Sequence, residues 1–420
     1  MKNILKSINL LFLLIFTNSC NIIYNHYEAY TKKDLIKTYY KYLTDDYVTE
    51  MVYMNQFNNL NLFGFALMVG EYVYIADGVG IHKTTLDFKN LTTIVFNHDY
   101  EYYVNENLSS FRRLQYYEGN IYFLDSRSSY IYSMNLDGSN LIQVLSTYDF
   151  AEKIYIDGFG YAIPGGISEF IVVNNRIYFN YFLGGAMLHY FDLYSREIVN
   201  LDIMSTPILT LNPDRDAIQF THNLDVITNL NLKNHTLELA MPLNIDYLIE
   251  KAYVGHIWYT TNVNGKLAFG THVVYHSNPI VYSRIFVVNK YGYAEEIHRE
   301  ASHRSDIINI HGEIEEINWG NDIDISRRLI LTHLNSIGYW IYFNVIVPFE
   351  SINMYRIKRD GTKMELIYEN LLKETFGNHH IFMNIISEDI IMWRNHPLSH
   401  ITNVLIRNEY TKEFENIRIN

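Results

Sequence analysis

Histidines are the most prominent chemistry-bearing groups in this sequence, with 17 along the chain. His379, His380, His396 and His400 lie close together, as do His298, His303 and His311. Zinc or manganese needs several ligands converging at about 2.0–2.2 Å on one ion. His272 and His276 are spaced to share one face of a strand, but about 13 Å apart, too far to share an ion. His379 and His380 in a strand would point to opposite faces. The histidines therefore read as scattered core or surface residues, and no metal is expected. Asp322 and Asp324, in "NDIDIS", would share a strand face about 7 Å apart. That spacing suits a cation or a carboxylate pair for acid–base work, although a solvated loop is the simpler reading. No Gly-rich phosphate loop, G-x-S-x-G elbow or H-E-x-x-H helix occurs. The reading predicts no catalytic residue and no cofactor.

Tyrosines offer a second kind of chemistry, stacking on a ligand. Most recur at fixed places in a repeat described below and read as core. Tyr100, Tyr102 and Tyr103, in "DYEYYVN", fall outside the repeat, as do Tyr39 and Tyr40. The first three are the candidate partner surface.

The N-terminus carries an address. Lys2 and Lys6 precede the apolar run Leu10 to Phe16, then Thr17-Asn18-Ser19 and Cys20. The run is too short to span a bilayer and a small residue stands before the expected cut, so 1–19 reads as a secretory signal. The stretch resembles the signal of bacterial lipoproteins, with Thr17 where Leu or Val is usual. That resemblance makes Cys20 a lipidation site, and 20–60 an anchor and tether. Cys20 is the only cysteine, which excludes a disulfide, a cysteine nucleophile and thiol redox chemistry elsewhere. Each acyl CH₂ buried in a membrane contributes about 0.8 kcal/mol.

What could position these groups is legible in the composition. Hydrophobic residues make up 48%, with 37 Tyr and 23 Phe, a balance that favours a large core built from strands. Net charge is −13, which argues against nucleic acid as a partner, since phosphate binding needs a basic face.

The stretch "NIYFLDSRSSYIYSMNLDGSN", from Asn120 to Asn140, reads as two strands and a turn. Its Asp137-Gly138 suits a type I′ turn, where both central residues need positive φ. Similar hairpins begin near Tyr72, Arg176, Asn212, His272, Trp340 and Asp389. Strand anchors at Tyr74, Tyr122, Tyr178, Phe220, Tyr275, Tyr342 and Met392 precede turn-side residues Asp87, Asn135, Asp192, Asn231, Asn289, Lys358 and Asn408. Repeats of several short strands at about 40–50 residues indicate a β-propeller. The expected fold is all-β, a propeller over 61–420 with seven blades and six or eight as alternatives. Lys32 to Met54 could be a short helix or a strand that closes the ring, and Ala301 to Arg328 a long loop between blades.

Asn120 to Leu145 resembles a blade of the YWTD propellers of the low-density lipoprotein receptor type, with Tyr122-Phe123-Leu124-Asp125 at the namesake motif. Trp340 to Glu369 resembles a bacterial propeller family defined only as a domain of unknown function. Asn212 to Phe220 is similar to the blade opening of the Tol-associated periplasmic propeller, with Arg215 where Gly is usual. The YWTD likeness implies that Asp77 and Asp125 knit neighbouring blades together. None of these motifs is catalytic. The expectation is a non-enzymatic lipoprotein of a bacterial envelope, membrane-bound through Cys20, whose propeller binds a protein or glycan partner. The alternative is a carbohydrate-active or other propeller enzyme with its site at the central channel.

Overall fold

The computed structural model describes 64–419, leaving aside 97–110, 126–127, 151–153, 157–159, 163–164, 183–185, 205–208, 213–215, 223–225, 247–255, 264–265, 275–280, 302–329, 348–350, 370–381, 395–401, 409–410 and 412. All of it falls in the second of the chain's two units, Tyr53–Asn420. Seven four-stranded antiparallel sheets follow one another, each meandering in chain order. Blade 1 is Ala66–Val69, Tyr72–Ala76, Gly80–Thr85 and Thr92–Phe96. Blade 2 is Phe111–Tyr117, Asn120–Asp125, Tyr130–Asn135 and Ile142–Leu145. Blade 3 is Gly166–Val173, Arg176–Phe182, Ala186–Asp192 and Ile198–Met204. Blade 4 is Leu209–Leu211, Ala217–His222, Val226–Asn231 and Leu237–Leu239. Blade 5 is His256–Val263, Lys266–Val274, Val281–Val288 and Ala294–Ala301. Blade 6 is Ile330–Ile337, Trp340–Val347, Ser351–Lys358 and Met364–Tyr368. Blade 7 is Phe382–Ser387, Ile390–Arg394, Thr402–Arg407 and Phe414–Ile419. A small hairpin, Ile154–Ile156 with Gly160–Ala162, lies between blades 2 and 3 in the chain.

The first strands of blades 1, 2, 3 and 4 lie against one another in turn, as do those of blades 5, 6 and 7, and those of 7 and 1. The sheets thus form a seven-bladed β-propeller with the first strands around its axis. Burial follows radius. Ile341, Tyr342, Phe343 and Asn344 are all fully buried in a second strand, so that strand reads as a continuous apolar run. The fourth strand Leu237–Leu239 is exposed throughout. Apolar clusters fill the gaps between blades. Tyr178 and Leu188 of blade 3 pack with Ile218, Phe220 and Leu230 of blade 4. Ala268 and Ile285 of blade 5 pack with Ile341 and Phe343 of blade 6. Fully burying such a side chain contributes about 1.5–3 kcal/mol.

Three anchor tyrosines tie their blade to the next. Tyr74 Oη donates to the Leu136 carbonyl of blade 2 at 2.9 Å. Tyr178 Oη meets His235 Nε2 of blade 4 at 3.0 Å. Tyr342 Oη donates to the Glu388 carbonyl of blade 7 at 3.1 Å. A tyrosine here fills the gap with its ring and satisfies its hydroxyl on the neighbour's turn. One anchor read from the sequence differs, and another is not described. Phe220 faces back toward blade 3, whereas Tyr178 faces forward, so Gln219 occupies the forward position in blade 4; a one-residue slip reverses the face. Tyr275 lies outside the described residues, beyond the second strand of blade 5; Ala268 faces blade 6 there.

The turn-side residues act as expected. Asp192 Oδ1 accepts from the N–H groups of Tyr194 and Ser195 at 3.0 and 3.1 Å. Asn231 and Asn289 cap their turns in the same way. The type I′ expectation is corrected. Within Asn135–Gly138 only Gly138 takes positive φ, at 86°, and its N–H bonds to the Asn135 carbonyl at 3.0 Å while Asn135 N–H bonds to Ser139. This is a longer loop ending in a left-handed Gly, the G1-bulge class.

The last blade is complete within Phe382–Ile419. Lys32–Met54, expected as a short helix or a ring-closing strand, lies outside the described residues, as does 302–328 of the expected inter-blade loop. Side chains join the last blade to the first. The Ala66 N–H donates to Asn384 Oδ1 at 2.8 Å, between residues 318 apart in the chain. Arg394 Nη1 donates to the Ala76 carbonyl at 2.5 Å.

Gly138 also presses on blade 1: a Cβ there would sit 2.6 Å from the Ile94 carbonyl oxygen. Gly119 has the same φ, 86°, with nothing within 4 Å of a Cβ. Gly119→Ala should cost about 1 kcal/mol from backbone conformation alone, and Gly138→Ala at least about twice that. Urea unfolding of both variants checks this; equal losses would mean the turn does not bear on blade 1.

Candidate functional site

One cluster of chemistry-bearing groups in the described residues lies on the first strands, around the axis. These strands are irregular. Register shifts occur between Arg112 and Gln115 and between Ile167 and Glu169, and similar shifts occur in blades 5, 6 and 7. A bulge inserts a residue and re-aims its neighbours. Arg113 sits in the first of these with φ 61°. Its guanidinium pairs with the Glu169 carboxylate of blade 3, and its Nε donates to the Ser168 carbonyl at 3.2 Å. Gln115 Nε2 donates to the Phe170 carbonyl at 2.8 Å, and Gln115 Oε1 accepts from the Val172 N–H at 2.9 Å. Gln115 thus behaves like an added rung between two inner strands.

Arg113 and Glu169 are only 5% and 6% exposed. Burial pushes the Glu169 carboxyl up to about 7, against the pull of Arg113 and Arg112. Burial likewise brings Arg112 down to about 10, helped by the Arg113 charge. A carboxyl near neutrality between two guanidiniums can gain or lose a proton, or hold the two strands together.

A second cluster lies at the seam of blades 7 and 1. His82 Nε2 is 3.0 Å from Asp77 Oδ2, and His82 Nδ1 is 2.9 Å from Thr93 Oγ1. Asp77 Oδ1 accepts from the N–H groups of Val79 and Gly80 at 2.7 and 2.9 Å. Burial acts to raise the Asp77 pKa, but the His82 hydrogen bond and the His82 and Arg394 charges bring it below the ordinary value. Arg394 Nε donates to Thr402 Oγ1 at 2.7 Å, and its guanidinium lies 4.4 Å from the Phe65 ring centre. Each group has its place in a network joining the chain's first and last blades.

A third cluster is cationic. Arg356 is fully buried and lies 4.2 Å from the Trp340 ring centre. Its Nε donates to Glu365 at 2.7 Å and its Nη1 to the Glu388 carbonyl at 3.0 Å. It joins blade 6 to blade 7.

The residues singled out in the sequence fall as follows. Asp77 meets the expectation of a seam residue through Arg394. Asp125 accepts from Ser128 Oγ at 2.6 Å and caps its own loop. His298 packs 5.0 Å from the Phe343 ring centre, across blades 5 and 6. His272 stands opposite His256 in the ladder. Cys20, Tyr39, Tyr40, Tyr100, Tyr102, Tyr103, His276, His303, His311, Asp322, Asp324, His379, His380, His396 and His400 lie outside the described residues. Among the described residues no three metal-ligating side chains come together. Sequence reasoning missed Arg113, Glu169 and His82. A signal existed for two of them: "FRRLQ" and "GISEFIVV" each set a charge inside an apolar strand, which demands a partner.

No protein-family profile and no curated protein sequence matches the chain. Solved structures do resemble it. An oligogalacturonate lyase in complex with manganese is 14% identical, with a TM-score of 0.37 over 58% of this chain and 62% of that one. TolB from Acinetobacter baumannii is 12% identical, with a TM-score of 0.38 over 70% and 62%. The nidogen/laminin complex is 11% identical, with a TM-score of 0.35 over 55% and 76%. The chain thus spans less than two thirds of the lyase and of TolB. Likeness this distant carries no argument on activity, and the fold rests on the sheets themselves.

The Arg113–Glu169 pair makes two predictions. A buried charge left without its partner costs about 3–5 kcal/mol, whereas an apolar pair of similar volume is near neutral. Arg113→Met alone should therefore destabilise by about that much, and the double change with Glu169→Leu should recover most of it in urea unfolding. Full additivity of the two losses would rule the pairing out. The pH dependence has a sign. Glu169 rises in the fold from 4.5 to about 7, so its contribution is fully present below pH 4.5 and is lost as pH rises toward 7. The stability difference between the wild-type protein and Glu169→Gln should fall across that window, by up to about 1.4 kcal/mol per pH unit. A difference constant with pH would refute this.

Proposed function

We propose that the protein is a non-enzymatic lipoprotein of a bacterial cell envelope, held to a membrane by acyl chains on Cys20. On this reading 1–19 is a signal peptide, 20–60 a tether, and the propeller a binding or scaffolding module for a protein or envelope partner. One observation carries it: the polar groups of the inner strands bond to one another across blades. Arg113 and Gln115 engage blade 3, Asn384 engages blade 1, and Thr261 Oγ1 meets Ser336 Oγ at 2.8 Å between blades 5 and 6. Groups committed in this way lock a rigid ring, and a rigid ring with variable loops suits recognition by shape. The chain's acidity supports a partner other than nucleic acid.

A specific observation favours a second reading. Glu169, with a carboxyl near neutrality beside two arginines at the axis, has the environment of an acid–base residue. A propeller enzyme acting at the channel would use it.

Two experiments test the choice. Cys20→Ala should move the protein from the membrane to the soluble fraction of cells; a variant that stays membrane-bound would defeat the anchor. Crosslinking in intact cells with a tagged chain, followed by mass spectrometry, should return one reproducible partner. Its absence, together with turnover of a glycan that Glu169→Gln abolishes without unfolding the protein, would favour the enzyme.

A further inference from the structure

Asn344 and Trp393 turn polar atoms into the gap between blades 6 and 7. Successive residues of a strand point to opposite faces. Phe343 packs with Ala268 and Ile285 of blade 5, and Tyr342 Oη reaches the Glu388 carbonyl of blade 7, so Asn344 faces blade 7. Arg394 reaches the Ala76 carbonyl of blade 1, so Trp393 faces back toward blade 6. The Trp393 ring centre lies 6.2 Å from that of Tyr368. Tyr368 stands opposite Met354 in the ladder, and Met354 opposite Asn344. Asn344 and Trp393 therefore open onto the same gap.

Their positions along the strands match as well. Asn344 is the fifth residue of its second strand and Trp393 the fourth of the next. In blades 1 and 2 these two places hold Ala76 and Phe123, and in blades 2 and 3 Leu124 and Phe179; each pair shares an apolar cluster. Between blades 6 and 7 an amide and an indole stand there instead. Asn344 is fully buried and Trp393 only 4% exposed. Met354 and Met383, cross-strand neighbours of Asn344 and Trp393, are fully buried too. Asn344 Oδ1 and Nδ2 and Trp393 Nε1 are closed to bulk solvent, and among the described residues none of the three has a hydrogen-bond partner. A buried donor or acceptor left unpaired is costly, and folded proteins leave few of them. Three such atoms in one gap call for a common partner.

We infer that one ordered water is bound between Asn344 and Trp393. The indole N–H only donates, while the amide offers both a donor and an acceptor, whichever way it is turned. A shared partner must accept from the indole and donate to the amide oxygen. A metal cation cannot accept from an N–H, and a halide has no hydrogen for the amide oxygen. Water does both and is the smallest molecule that does; when buried it makes about three such bonds. It joins the second strand of blade 6 to that of blade 7, two residues beyond the Tyr342 bond. The inference is independent of what the propeller binds.

The test is a crystal structure of the full chain that shows ordered solvent, together with melting curves of variants. Density for one water should lie within hydrogen-bond distance of both Trp393 Nε1 and the Asn344 amide. Asn344→Leu and Trp393→Phe should each expel it and lower the melting temperature by a few degrees. The double variant, which leaves the gap without polar atoms, should lose less than the sum of the two. Three results would overturn the inference. The gap holds no solvent density. The indole N–H bonds directly to Asn344 Oδ1 with no water between. Or Asn344→Leu raises the melting temperature, as relief of an unpaired amide in a dry gap does. Should a variant fail to fold, the density in the wild-type protein still decides.

Discussion

A sheet whose second strand is apolar on both faces needs a neighbour on each side, and in a row of sheets the two ends would stay uncovered. Only a closed ring meets that demand for every blade. The side chains follow from it. Tyr74, Tyr178 and Tyr342 face forward, fill the gap between blades with a ring, and end in a hydroxyl that finds a carbonyl or a histidine nitrogen on the next blade's turn. Gly138 and Gly361 lack a side chain where a turn must lie on the preceding blade. Burial falls outward until the strand Leu237–Leu239 is bare, since by that radius the neighbours have splayed apart.

Around the axis the demand is reversed. Inner strands crowd together, and their backbone groups would be orphaned without partners. Bulges in the first strands turn polar side chains sideways, and Gln115 and Asn384 use theirs as backbone substitutes. Arg113 and Glu169 belong to the same device, with a tension of their own. Desolvation acts against both charges, while their mutual attraction offsets it. That balance gives this part of the ring a dependence on protonation that its apolar gaps lack.

The hairpins were legible because second, third and fourth strands carry an intact pattern, closed by turns with Asp, Asn and Gly at fixed offsets. Tyr122, Tyr178 and Tyr342 could be read from "IYF" alone. Blade 4 misled because "AIQFTH" sets an aromatic one place away from the forward position, which a window of aromatic residues cannot distinguish. The first strands were nearly invisible. "FRRLQYY" and "ILTHLNSI" contain bulges, and a bulge breaks the two-residue alternation that identifies a strand. The functional cluster shared that fate. Arg113 and Glu169 are far apart in sequence and meet only because two such irregular strands adjoin.

Each described blade is made from one uninterrupted stretch of chain, and the first and last blades meet through an amide side chain and a guanidinium. In evolutionary terms the blade is therefore a complete module of inheritance. Duplicating or deleting one repeat in the gene would add or remove a whole sheet. Blade number in such a lineage can drift by single steps, with the wedge angle between neighbours absorbing the change, while a ring sealed by a shared strand would have to alter both ends of its gene in concert.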